Sequence, residues 1–443
     1  MGQSMTATEP DTIAAEFQDQ MVQIFASYDT TSYVYMVLDF ASPLDASVVR
    51  QATRRLLDAE PVLGCRFDDS GAVPVWRRRD DLDDDPGFVM LDDVEDVEGE
   101  TTKIIGSAFD VVRSRNVTVQ LLRHRGGDRL ILGVSHVVAD GGALILALER
   151  FAALYSGIAA DPNFRLPANT ASRDSFRWLA DFSLKDKLKV LLRDLGEMPR
   201  MLRRHEGFLR SRSAFAAAAR TRPAVARVKI PAERLAEIDA AARIRGLSRN
   251  DMLLAGYARA FMAFCRGDPG RPLQIVMPIN MRRYAEVESR PAICNLGGIA
   301  NVYVEPDLGE RFSDTLDRVS REMARHRGSF MGAANPFAAK MFSAMTYARK
   351  RRTLDRLMEK GLNKPAPPTF TNVGHVSERR VRFAESSPSA VTLCAMPLSL
   401  PLVLVVASEY GRAVTLTMSY YIDDYPAVDV ERFLAAIVDG IEI

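Results

Sequence analysis

Apolar residues recur along this chain with two alternating periods. Ile13, Phe17, Met21 and Ile24 repeat at helical spacing and predict a helix over residues 8–27. Residues 32–40 (SYVYMVLDF) are dense in β-branched and aromatic side chains and predict a strand. Asp45 can cap a helix that carries Val48, Val49, Ala52, Leu56 and Leu57 on one side, with Pro61 ending it and a strand expected over 62–67. The charges of 77–88 (RRRDDLDDDPGF) predict a surface loop. Runs at 117–124 and 130–136, joined by Arg125-Gly126-Gly127-Asp128, predict a hairpin. Helical periodicity returns over 143–155, and the Pro- and Asn-rich stretch 161–175 reads as a loop.

A second series follows a basic helical segment at 185–212. Strands are expected at 224–230, 274–279, 299–304, 391–393, 402–408 and 414–421, with helices at 231–245, 248–264 and 427–439. The pattern is two α+β halves, a first lobe over 1–175 and a second over 225–443, joined by 176–224.

Composition narrows the function classes. With 58 Lys and Arg against 57 Asp and Glu, the net charge of +1 gives no footprint for a nucleic-acid partner. Cys65, Cys265, Cys294 and Cys394 are scattered, with no metal or redox spacing, and suit a reducing cytoplasm. The start of the chain lacks the basic and apolar regions of a signal peptide, and the apolar stretch 393–408 is too short to span a bilayer. Gly2 with Thr6 fits a loose myristoylation pattern. In the segment 185–212, nine Lys and Arg are interspersed with leucines. Such a segment can meet an anionic membrane surface or an acidic carrier protein, or else bridge the lobes with a solvated basic face.

Among the five histidines, His136 stands apart. It ends the apolar run Leu130–Val134 and precedes Asp140-Gly141-Gly142 and a helix, which sets an imidazole at the mouth of a buried strand. Asp140 also reads as a plain helix N-cap. Nucleophile-elbow, dinucleotide, phosphate-loop and zinc-protease motifs are not found, and no metal is expected.

The run Ser135-His136-Val137-Val138-Ala139-Asp140-Gly141 resembles the HHxxxDG motif of the chloramphenicol-acetyltransferase-like superfamily. This group includes peptide-synthetase condensation domains, alcohol and wax-ester acyltransferases, and polyketide-associated acyltransferases. Flanking blocks resemble it in the same order: 44–67, 130–155, 247–261, 277–282 (MPINMR), 295–304 and 370–374 (FTNVG), so the likeness covers nearly the whole chain. The resemblance implies two such lobes, each a mixed β-sheet with packed helices, and an active-site channel between them. It implies His136 as general base, Asp140 paired with Arg282, Gly141 allowing close backbone approach, and Thr371 or Asn372 near a developing oxyanion. No tightly bound cofactor is implied. The cosubstrate would be an acyl-CoA or acyl-carrier-protein thioester, and the acceptor an alcohol, small or lipidic, in a cytoplasmic enzyme with or without peripheral membrane contact. Amide-forming condensation with an external carrier protein, and a silent carrier- or lipid-binding scaffold, remain open alternatives. Ser135 departs from the motif, standing where the family often has its first histidine.

Overall fold

The computed structural model describes residues 12–28, 33–107, 115–201, 205, 207–209, 222–266, 271–285, 291–305, 307–328, 330–333, 336–361, 364–398 and 401–443. Gly2 and Thr6 lie outside them, as do four of the nine basic residues of 185–212, Arg203, Arg204, Arg210 and Arg212.

The first half runs β1 (Thr12–Ala14), α1 (Phe17–Ala26), β2 (Tyr33–Phe40), α2 (Ala46–Ala59), β3 (Cys65–Asp68), β4 (Val75–Arg78), β5 (Phe88–Leu91), α3 (Val97–Gly106), β6 (Val117–His124), β7 (Gly127–Ser135) and α4 (Gly141–Ala160). The helix expected over 8–27 begins only at Phe17. The backbone of Ile13 pairs with Trp76 in β4, and Asp19 accepts the Glu16 amide to close the first turn. The loop expected over 77–88 is also partly structured, because Arg77 and Arg78 belong to β4 and Leu82 is buried. Pro61–Gly64 is a 3₁₀ turn where the strand was expected to start. The β6–β7 hairpin closes between His124 and Gly127, whose φ of 127° and near contact with the Phe40 carbonyl leave no room for a side chain.

α5 (Arg177–Ala180) and α6 (Leu184–Met201) lead into β8 (Phe208–Leu209), so the helical character predicted to 212 gives way to a short strand. The second half contains β9 (Pro223–Ile230), α7 (Ala232–Ile244), α8 (Arg249–Phe264), β10 (Leu273–Asn280), β11 (Gly297–Val304), α9 (Phe312–Arg327), α10 (Pro336–Ser343) and α11 (Tyr347–Lys360). It continues through β12 (Pro365–Ala366), β13 (Thr369–Val376), β14 (Ala390–Ala395), β15 (Leu404–Tyr410), β16 (Ala413–Tyr421) and α12 (Ala427–Asp439).

Two principal sheets result. One has the order β14-β2-β7-β6-β5, the other β11-β10-β13-β15-β16-β9. Both are mixed: β5–β6, β10–β13 and β13–β15 are parallel pairs, the rest antiparallel. The architecture is therefore two-lobed α+β, with helices packed on each sheet. One strand ignores the sequence division: β14, from the second half, pairs along β2 in the first sheet. Thr417 Oγ1 donates to the Leu393 carbonyl at 2.8 Å, and the Leu393 amide donates to Ser408, so this strand ties the two sheets together.

All nine residues of β7 are buried, which is why its sequence reads as continuous rather than alternating. It delivers the chain to the N-terminus of α4. That helix is long and apolar enough by composition to cross a membrane, which the reading of residues 393–408 overlooked, yet Leu144, Leu148, Phe151 and Leu154 are buried in the first lobe's core.

Candidate active site

β7 ends at Ser135, and residues 136–139 form a turn before α4 begins. Ser135 is buried. Its carbonyl accepts the Val138 and Ala139 amides, and its hydroxyl accepts the Val137 amide at 3.3 Å, so this residue folds the turn. His136 projects from the turn half-buried. Its Nδ1 is enclosed and has no hydrogen-bond partner among the described residues.

Asp140 is at once cap and ion-pair partner, so its two readings are compatible. Oδ1 accepts the Ala143 amide at 2.8 Å, and Oδ2 accepts the Leu296 amide of the second lobe at 2.7 Å. Arg282 Nη1 lies 2.8 and 2.9 Å from the two oxygens. Burial alone would raise the Asp140 carboxyl, but the Arg282 guanidinium and the two amides outweigh it and hold the carboxyl below its ordinary range. Arg282 sits in the 3₁₀ turn Met281–Tyr284 after β10, and its Nη2 donates to the Cys294 carbonyl at 2.6 Å. Burial pushes the nearby Cys294 thiol up.

Close packing explains the glycines. A Cβ on Gly142 would lie 2.8 Å from Asn280 Nδ2 and 3.1 Å from Arg282 Nη1, and one on Gly141 would lie 3.1 Å from Val373 Cγ1 of β13. The tighter restraint falls on Gly142, next to the residue the motif singles out.

Two further residues hold the turn and were not picked out from the sequence. Asn295 Nδ2 donates to the carbonyls of His136 at 3.0 Å and Val137 at 2.8 Å. Arg173, buried, donates to the carbonyls of Ile293 and Val138 and forms a bidentate pair with buried Asp19, which also accepts the Trp76 indole N–H at 2.8 Å. Asn295 lay within one of the similar blocks. Arg173 lay in a stretch read only as loop, and nothing local signals its partner 154 residues away.

β13 faces the motif from the second lobe. Phe370 enters that lobe's core, while Val373 packs beside Gly141 and the first lobe's core. Thr371 and Asn372 point to opposite faces of β13, just before a register shift between Asn372 and His375. Asn372 is exposed. It accepts the Gly374 amide at 2.9 Å and donates to Asn250 at 3.3 Å. The structure thus joins His136, Asp140, Gly141 and Arg282 in one interlobe node, with Thr371 and Asn372 on β13, whose Val373 packs beside Gly141. Of the other histidines, His326 is buried against the Asn301 carbonyl and His124 accepts the Gly126 amide. Among the described residues, no three His, Cys, Asp or Glu side chains converge to hold a metal ion.

No family model matches the chain, and no curated protein matches its sequence. Solved structures do. The first condensation domain of the calcium-dependent antibiotic synthetase is similar at 18% identity over 97% of this chain and 96% of that one, with a TM-score of 0.69. Trichothecene 15-O-acetyltransferase from Fusarium sporotrichioides is similar at 13% identity over 97% and 94%, with a TM-score of 0.73. Polyketide synthase associated protein 5 from Mycobacterium tuberculosis is similar at 16% identity over 97% and 98%, with a TM-score of 0.64. The chain therefore has the chloramphenicol-acetyltransferase-like, condensation-domain fold.

Proposed function

We propose that the protein is an enzyme of acyl-transfer or condensation chemistry, with a thioester donor and His136 as its general base. In this reading the imidazole takes the proton of an amine or hydroxyl as that atom bonds to the thioester carbonyl carbon. The C–S bond then breaks, and the imidazolium returns the proton to the leaving thiolate. No acyl-enzyme forms. A placed base of this kind supplies about 10²–10⁴-fold, and the remainder comes from holding donor and nucleophile in line.

The observation that carries the reading is the node around His136. A ring with an enclosed, unpartnered nitrogen sits on a turn whose carbonyls are held by Asn295 and Arg173 and whose end is locked by Asp140–Arg282. A buried polar atom without a partner is unfavourable, and this one lies beside the Asp140–Arg282 pair that joins the lobes. Thr371 and Asn372 of β13 are the candidate oxyanion donors in this reading.

The sequence alone favoured an alcohol acceptor, with an acyl-CoA or acyl-carrier-protein thioester as donor. The similar structures shift the weight toward amide-forming condensation with a donor borne on a separate carrier protein. Besides the synthetase condensation domain they include an epimerization domain and a cyclization-docking bidomain. The O-acetyltransferase among them keeps alcohol acylation as the second reading. The test is release of free thiol from acyl-CoA and from acyl-carrier protein, each with amines and with alcohols. Turnover with the carrier-borne donor and an amine supports condensation. Turnover with acyl-CoA and an alcohol supports the second reading, and release from neither donor overturns both.

A further inference from the structure

Helix α6 is amphipathic in the reverse sense to a normal surface helix. At 100° per residue, Val190, Arg193, Asp194, Glu197 and Arg200 share one side. This side packs on the second lobe. Val190 is fully buried, Arg193 donates to the Phe330 and Ala333 carbonyls, and Arg200 makes a bidentate pair with Glu322 at 2.9 and 2.7 Å. The opposite side carries Leu184, Leu188, Leu191, Leu192 and Leu195, which are between 41% and 86% exposed. They fall within an arc of about 100° and run about 17 Å along the helix. A soluble helix normally turns such a stripe inward.

The rims of the stripe are cationic. Lys185 and Lys189 border it on one side and Lys187 on the other, while Asp186, Asp194 and Glu197 lie toward the packed face. The outward arc thus holds leucines and lysines and no carboxylate. Leucines with lysines along the edges suit the boundary between lipid headgroups and acyl chains, where the amines reach phosphates and the side chains insert. A second copy fits poorly, because pairing two such stripes would bring lysine rims together with no acid between them. A folded protein partner would have to supply a groove for a single helix ridge, which is small beside the ~800 Å² per partner of a stable interface.

We infer that α6 is an interfacial helix by which the protein binds the surface of an anionic phospholipid bilayer. This goes beyond the acyl-transfer reading and does not depend on it.

The experiment is co-sedimentation of the full chain with vesicles of phosphatidylcholine alone or mixed with phosphatidylglycerol. The wild-type protein sediments with the mixed vesicles and is released by raised salt, since the lysine contribution is screened. Leu188→Ser with Leu192→Ser, and separately Lys185→Glu with Lys189→Glu, each lower the bound fraction about tenfold or more while the melting temperature holds. Wild-type protein that stays in the supernatant with both vesicles overturns the inference. So does a serine variant that sediments like the wild type. A wild-type dimer, seen by light scattering without lipid and made monomeric by the serine pair, would assign the stripe to a second copy instead.

Discussion

The turn at residues 136–140 and helix α6 are both fastened to the second lobe through arginines, yet they place their remaining side chains in opposite ways. The turn draws its charges inward: Asp140, Arg282, Arg173 and Asp19 are largely enclosed, each with several partners. α6 also uses charged groups against the protein, but it sends its leucines out to solvent. In the first region most polar groups are fixed, while the His136 Nδ1 and the Arg282 Nε have no partner among the described residues. In the second, five leucines stay 41–86% exposed. The first region keeps unpartnered polar atoms inside, and the second an exposed apolar stripe outside.

The contrast can be broken at several points. His136→Ala should lower thiol release by about 10²–10⁴-fold with an unchanged melt, and surviving turnover on a productive substrate would remove the assigned base. Arg282→Ala leaves the Asp140 carboxylate without its cation, and denaturant titration should show a loss of about 3–5 kcal/mol. Asp140→Asn should also melt lower. Because the folded Asp140 carboxyl lies below its ordinary range, its contribution is complete above about pH 4 and disappears as pH falls through the folded value. The stability gap between wild type and Asp140→Asn should therefore close in acid, and a gap constant down to strongly acidic pH would undo the pair's role. Asn295→Ala frees the His136 and Val137 carbonyls, and should lower kcat about tenfold with KM held, the mark of a positioning residue. Smallest of all, the double serine change at Leu188 and Leu192 should alter stability by no more than about 0.5 kcal/mol, because those side chains leave little contact behind.

Much of the fold was legible from local pattern. β2, the β6–β7 hairpin, α8 with its Ser248 cap, and α12 follow from residues within a few positions of one another. The readings that failed depended on distant partners. Ile13 has helical neighbours but lies in β1 because β4 offers it a ladder, and Arg77 looks like loop until β1 and β3 flank it. At the site, Asp140 was readable as a cap from Gly141 and Gly142, whereas the hold from Asn295 spans 159 residues of sequence and that from Arg173 spans 35. The separation of Thr371 from Asn372 required knowing that both lie in a strand.

The sequence by itself determined the elements, their apolar faces and the motif carrying His136, since these depend on periodicity, capping and turn chemistry within short windows. Only the tertiary structure decided that β14 crosses to the first sheet, that a turn in one lobe is locked by an arginine and an asparagine of the other, and that the leucines of α6 face outward. Those outcomes depend on which surfaces meet in space, and neither helical nor strand period records which of two faces will find a partner.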